Sequence, residues 1–255
     1  MTLEILISDT LTPLRHGFFT RRGGASSGVF QGLNCGNGSS DQTDVVSINR
    51  ARVAQALDVP PAALVSANQV HSADVLTVED IVDGTAGTLG RGDALVTASP
   101  GVALSVLTAD CMPVLLADHD AGVIGAVHAG WRGALAGVLE ATLDAMEDLG
   151  AARDDIAAVI GPCISQRAYE VGPEFLETFL AEEAGYDRFF TAGPGDRYLF
   201  DLPGFGLKRL RDAGVGHAEW TRHCTHSQPD LFYSYRRAMQ MGQADYGRLI
   251  SAIRL

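Results

Sequence analysis

The sequence predicts a single α+β domain, on three observations. Strand-like and helix-like segments mix without regular βαβ alternation, two compact apolar runs flank a four-residue turn, and no linker or composition break divides the chain. At 255 residues, with 46% hydrophobic and 20% charged residues, the chain can bury a substantial core without disulfide staples. One unit over residues 1–255 is therefore the expected organisation.

Turn-forming residues are densest from Arg21 to Ser40, where Gly23, Gly24, Ser26, Ser27, Gly28, Gly32, Asn34, Gly36, Asn37 and Gly38 favour loop conformations. This reads as an ordered functional loop or a mobile flap. A helix is predicted from Asp44 to Leu57, with Val45, Ile48, Val53 and Leu57 at helical spacing and Pro60 and Pro61 stopping it. Asp74 to Val78 has strand composition, and Val102 to Thr108, Val114 to Asp118 and Val123 to His128 read as core strands. From Ala134 to Gly150 a helical face carries Leu135, Val138, Leu139, Leu143 and Met146, with Gly150 suited to the C-terminal cap.

The formal charge of -12 argues against nucleic acid and anionic membrane surfaces, which require clustered Lys and Arg. Small molecules are the expected ligands, and nothing signals an obligate protein partner. Arg21, Arg22 and Arg132 nonetheless offer a local anion site. Met1 to Gly17 lacks a basic start followed by an apolar run, and no segment reaches membrane-spanning length, so a cytoplasmic location is expected. Cys35, Cys111, Cys163 and Cys224 are widely spaced, which favours reduced thiols or metal ligands over a disulfide frame.

His119-Asp120-Ala121-Gly122 joins two of the core strands as a hairpin turn. If the turn centres between Asp120 and Ala121, Pro113 faces His128, and Cys111 lies two residues on along the same face. Cys111 and His128 are then diagonal neighbours with backbones roughly 7 to 8 Å apart, near enough to share an ion. A thiolate and a neutral imidazole suit zinc, and three protein ligands would leave a fourth position for reactant. His71, in Asn68-Gln69-Val70-His71-Ser72, is the third candidate, although spacing alone does not bring it to the hairpin. Without metal, Cys111 and His128 would read as nucleophile and base, with Asp110 orienting the imidazole. His223-Cys224-Thr225-His226 fits no common zinc knuckle, and Cys163 reads as packing or as support for the site. Trp131 reads as packing or as a stacking partner for a base.

At these residues the chain resembles the laccase-domain family, also called the multicopper polyphenol oxidase or YfiH-like family. The resemblance runs in order through His16-Gly17-Phe18-Phe19-Thr20-Arg21-Arg22-Gly23-Gly24, Leu33-Asn34, Asn49-Arg50, Gln69-Val70-His71, Gly92-Asp93-Ala94-Leu95-Val96-Thr97, Thr108-Ala109-Asp110-Cys111, His128-Ala129-Gly130-Trp131-Arg132-Gly133, Gly161-Pro162-Cys163-Ile164 and Tyr233-Ser234-Tyr235-Arg236-Arg237. Cys35 departs from it, standing where the family usually has an aliphatic residue. The resemblance implies an α-β-β-α layered sandwich shared with a group of cysteine-histidine toxin enzymes, and zinc at His71, Cys111 and His128. It also implies phosphorolysis of adenosine, inosine and methylthioadenosine, with adenosine deamination.

On that implied chemistry, phosphate would enter beside zinc and an arginine cluster drawn from Arg21, Arg22 and Arg132. Asp110 or Asp93 would protonate the departing purine, and Asn68 or Gln69 would read its edge. The alternatives are an amidase that edits peptidoglycan precursors with the same Cys-His-zinc site, a polyphenol oxidase, and a zinc protein without turnover. Copper is disfavoured because an oxygen-reducing cluster is rich in histidine, whereas only seven histidines occur in the chain and five of them scatter outside the proposed site.

Overall fold

The computed structural model describes residues 2–79 and 88–255. Its strands are β1 (Ile5–Leu6), β2 (Arg15–Phe19), β3 (Leu64–Asn68), β4 (Val75–Thr77), β5 (Thr88–Arg91), β6 (Ala94–Thr97), β7 (Ala103–Thr108), β8 (Met112–Asp118), β9 (Val123–Ala129), β10 (Ala157–Ile160), β11 (Glu170–Val171), β12 (Phe190–Ala192), β13 (Tyr198–Phe200), β14 (His217–Trp220) and β15 (Leu249–Arg254). The helices are α1 (Thr43–Ala56), α2 (Trp131–Ala136), α3 (Val138–Asp148), α4 (Pro173–Glu182), α5 (Leu202–Asp212) and α6 (Tyr235–Gln240). Two six-stranded sheets run in the orders β1-β2-β15-β7-β3-β5 and β14-β10-β8-β9-β6-β4, and a small third sheet runs β11-β13-β12.

Side chains alternate across each strand, so one face of each sheet meets the other sheet and the opposite face meets helices. Leu104 and Val106 of β7 and Ile253 of β15 pack against Leu115 and Ala117 of β8 and Ile124 and Ala126 of β9. On the outer face of the first sheet, Ala103, Ile250 and Ala252 pack with Val53 and Ala54 of α1. On the outer face of the second, Val114, Leu116, Val123 and Val127 pack with Leu139, Leu143 and Met146 of α3 and with Phe205 and Leu210 of α5. This is the α-β-β-α sandwich. Burial on both faces explains why β8 and β9 read as unbroken apolar runs.

The expected hairpin forms in the expected register. β8 and β9 pair antiparallel with Pro113 opposite His128, and Asp118 opposite Val123 closes the ladder. The Asp118 carboxylate accepts the N–H groups of Asp120 and Ala121, which fixes the turn. Since Leu115 and Ala117 face the other sheet, Pro113 and Cys111 follow them in parity, as His128 follows Ile124 and Ala126. The site residues therefore lie where the space between the sheets opens to solvent.

The helix expected from Ala134 to Gly150 is instead two helices that begin at Trp131. Gly137, at φ 95°, breaks them in a left-handed conformation that glycine adopts without steric cost. Leu135 thereby belongs to α2, while Val138, Leu139, Leu143 and Met146 stay on the buried face of α3. Gly150 ends α3 as expected: its N–H reaches Glu147 O and that of Ala151 reaches Met146 O, which together form a Schellman cap.

The loop from Arg21 to Ser40 is ordered. Buried Asn49 of α1 accepts Ala25 N–H at 2.7 Å and donates to Ser26 Oγ at 2.9 Å and Asn34 O at 2.8 Å. Cys35 is fully buried beside Phe19, Leu33 and Val53, so its thiol serves there as a small hydrophobe. Among the described residues no helix is long and apolar enough to cross a membrane.

Candidate metal centre

Cys111 leaves the loop before β8, His128 stands on β9, and His71 follows β3 in a tight loop where its φ is 62°. Their ligating atoms lie within 4.8 Å of one another, and they form the group of this kind present among the described residues. Cys111 Sγ is 3.7 Å from His71 Nε2. Donors on a tetrahedral zinc with bonds of about 2.0–2.3 Å would be roughly 3.3–3.6 Å apart. The donor set and its spacing thus fit a metal ion, with small inward movements.

One carboxylate organises two of these ligands. Asp93, fully buried, accepts His128 Nδ1–H at 2.8 Å, which turns the other ring nitrogen, Nε2, toward the centre. It also accepts the backbone N–H groups of Val70, His71 and Ser72 at 3.1, 2.9 and 2.6 Å, and so shapes the loop that presents His71. Burial raises its pKa, but the His128 hydrogen bond and these amides outweigh burial and hold the carboxyl well below its usual range. Asp93 is therefore ionised and fully engaged. Its carboxylate is turned to the His128 ring and the His71 loop, and Asp93 is not among the residues lining the adjoining cavity.

Burial also opposes the Cys111 thiolate, yet His128 and His71 overcome that cost and bring its pKa down to about 6. Burial likewise opposes the charge on His128, and Cys111 and Asp93 overcome it, raising that pKa to about 9. Both shifts favour a thiolate beside an imidazolium. Metal binding would then displace a proton mainly from His128. In protein stripped of metal by chelation, the ultraviolet thiolate absorbance of Cys111 is expected to be lost as pH falls through about 6. Cys111→Ser should lack this transition, and His128→Gln should move it back toward the ordinary thiol range of about 8.5. A wild-type midpoint at that ordinary value would contradict the pairing.

Gly130 completes the cradle. A Cβ there would come within 2.7 Å of His71 Cδ2 and 3.0 Å of Cys111 Sγ.

The centre sits in the wall of a cavity of about 710 Å³, lined also by Gly36–Gly38, Ser66, Asn68, Thr108, Arg132, Tyr235, Tyr246 and Arg248. Arg132 is exposed on α2, stacked 4.9 Å over Trp131. Trp131 itself packs on Phe175 at 4.7 Å between ring centroids, within an aromatic cluster that includes Phe179 and Phe200. It packs there and is not among the residues that line the cavity. Asn68 is exposed to the cavity. Gln69 also lines the cavity, with its amide donating to Leu107 O at 2.7 Å and accepting Leu107 N–H at 2.8 Å.

The arginine cluster expected from the sequence does not assemble. Arg21 donates to Gln31 O and Pro229 O and stacks 4.4 Å over Tyr233. Arg22 pairs with Glu4 at 2.9 Å. Both line a separate cavity of about 540 Å³. Arg132 alone of the three reaches the metal-side cavity.

Asp110 also differs from its expected role. Its carboxylate accepts Thr225 Oγ1–H at 2.6 Å, Ser234 Oγ–H at 2.9 Å and Arg236 N–H at 2.7 Å, clasping the segment after β14 to the Cys111 loop. It neither orients an imidazole nor faces the cavity. His226 hydrogen-bonds Gln240 at 2.8 Å, and Cys224 bridges Cys163 through the backbone, so the His223–His226 run builds no metal site.

Sequence reading missed Tyr246 and Arg248, whose contribution to the cavity depends on β15 returning to the middle of the first sheet. It also missed Arg50 as more than a motif letter. The Arg50 guanidinium donates to Ser66 Oγ at 3.2 Å behind the cavity wall, while its buried Nη1 has no partner.

A family model described as multi-copper polyphenol oxidoreductase laccase matches residues 15–255. A protein of Deinococcus radiodurans named purine nucleoside phosphorylase is 43% identical over 222 residues, covering 87% of this chain and 83% of that one. A Pseudomonas aeruginosa protein of the same name is 38% identical over 226 residues, covering 88% of each. The crystal structure of Neisseria meningitidis protein NMB0706 superposes with a TM-score of 0.87 at 32% identity, over 100% of this chain and 99% of that one.

Proposed function

This chain belongs to the multi-copper polyphenol oxidoreductase laccase family, and from that premise we propose that it is a zinc-dependent purine nucleoside phosphorylase. Its substrates on this reading are adenosine, inosine and methylthioadenosine, each split into free base and pentose 1-phosphate, with adenosine deamination at the same site. The observation that carries the reading is a three-ligand centre of His71, Cys111 and His128 in the wall of a cavity of about 710 Å³, a volume suited to a nucleoside and an anion. The names of the two relatives support the substrate class.

When bound, zinc supplies Lewis acidity at the end of the cavity. The chain's own side chains do the positioning. Arg132 pairs with the phosphate charge, and Arg50 adds positive potential behind Ser66. An oxygen of dihydrogen phosphate bonds to the anomeric carbon as the bond to the purine nitrogen breaks, and that nitrogen keeps the electron pair and takes a proton from the same phosphate. The Asn68 amide hydrogen-bonds the purine edge, while Tyr235 and Tyr246 supply aromatic surface. Asp93 stays ionised and holds the ligand geometry throughout.

The test is purine release from inosine by zinc-loaded protein, with and without inorganic phosphate. Release should require phosphate, stop on chelation, return with zinc, and fall about a hundredfold or more in Cys111→Ser. Release that ignores phosphate, or that survives both chelation and substitution, would overturn the reading. Ammonia from adenosine is the separate measure of deamination. The Cys111–His128 pair also favours a second reading, amide hydrolysis by a thiolate nucleophile; serine release from an aberrant muropeptide precursor, with no purine release, would select it.

A further inference from the structure

β7 places Leu104 and Val106 toward the second sheet, within the apolar core. The next residue of that parity is Thr108, where the space between the sheets opens into the cavity. Thr108 is only 3% exposed, yet its Oγ1 is buried without a hydrogen-bond partner among the described residues. Nearby hydroxyls are satisfied: Ser105 Oγ donates to Val65 O at 2.8 Å, and Thr97 Oγ1 donates to Val78 O at 2.5 Å. An unpaired buried hydroxyl costs stability, and a valine would fill the same space without that cost. Thr108 is one of the residues lining the cavity, three positions before Cys111, where a ligand could supply the partner that its hydroxyl lacks.

We propose that Thr108 Oγ1 hydrogen-bonds a hydroxyl of the pentose, the one on the carbon next to the anomeric centre. This rests on the nucleoside reading above and names the part of the substrate that Thr108 recognises. A threonine hydroxyl both donates and accepts, which matches a sugar hydroxyl. The purine is a flat ring system better served by Asn68, Tyr235 and Tyr246 on the cavity wall. A site built around a buried hydroxyl rejects the ligand that lacks its partner, because the protein group is then left unpaired.

The experiment is calorimetric binding of inosine and 2′-deoxyinosine to zinc-loaded wild type, Thr108→Val and Thr108→Ser, with a thermal melt of each protein. Wild type should prefer inosine by about tenfold, equal to about 1.4 kcal/mol, and Thr108→Ser should keep that preference. Thr108→Val should lose it while melting at the same temperature or higher. A preference unchanged in Thr108→Val overturns the proposal, as does a lowered melting temperature with the preference intact, which would mark a purely structural hydroxyl. So does a Thr108→Val effect confined to the KM for phosphate. Binding is read without turnover, so Thr108-dependent discrimination in a protein that releases no purine would sink phosphorolysis and leave this contact standing. Purine release with discrimination independent of Thr108 would do the reverse.

Discussion

Asp93→Ala is expected to weaken zinc affinity about 10- to 100-fold and to cost roughly 3–5 kcal/mol of folding stability. The first effect follows because one carboxylate orients the His128 ring and shapes the backbone that carries His71. The second follows because removing it strands three partly buried N–H groups and a buried ring donor together. Asp93→Asn should fall between, since the amide oxygen still accepts while its NH2 faces donors. Zinc competition with a chromogenic chelator and urea unfolding at neutral pH read the two effects separately.

Linkage gives each effect its pH window. The Asp93 pKa is depressed in the folded state, so its contribution is present above the unfolded value of about 3.9 and is lost as pH falls through the lower folded value. The His128 pKa is raised to about 9, so in chelated protein its contribution is complete below about 6.5 and is lost as pH rises through about 9. Equal zinc affinity in wild type and Asp93→Ala would refute the positioning role.

Gly130→Ala should separate the site from the fold. Gly130 has φ -69°, which alanine adopts freely, so the substitution carries no backbone strain. Its cost is steric and local: the new methyl meets the His71 ring at 2.7 Å and the Cys111 sulfur at 3.0 Å. His71 is exposed and can swing away, which relieves the clash at the expense of the ligand set. The expected result is a loss of zinc affinity of about tenfold or more, with urea stability of chelated protein changed by less than about 1 kcal/mol. Wild-type zinc affinity in this variant would show that the ligands do not sit as described, and a large stability loss would show that Gly130 serves the fold.

The β8–β9 hairpin was legible because its evidence is local. A four-residue turn between two apolar runs sets a register, and that register places Cys111 and His128 on one face. Helix α1 was legible in its extent and its proline stop, though Ile48 of the expected apolar face is exposed and Val46 and Asn49 are buried instead, and the cap at Gly150 was legible from the glycine itself. Strands such as β2, β3 and β15 were not, because they are short and gain their stability from partners far along the chain. The break at Gly137 was also missed, since an isolated glycine within a helical pattern is usually tolerated.

The same division runs through the site. Residue types and local order identified a thiolate and an imidazole at one end of a hairpin, and with them the candidate chemistry. Tertiary structure alone decided which charged groups share the cavity, because side chains far apart in sequence meet only through sheet order. It kept Arg132 at the metal side and placed Arg21 and Arg22 in another cavity. It also set the Asp93 and Asp110 carboxylates against N–H and O–H donors, since a buried carboxylate is held by whichever donors the fold brings to it.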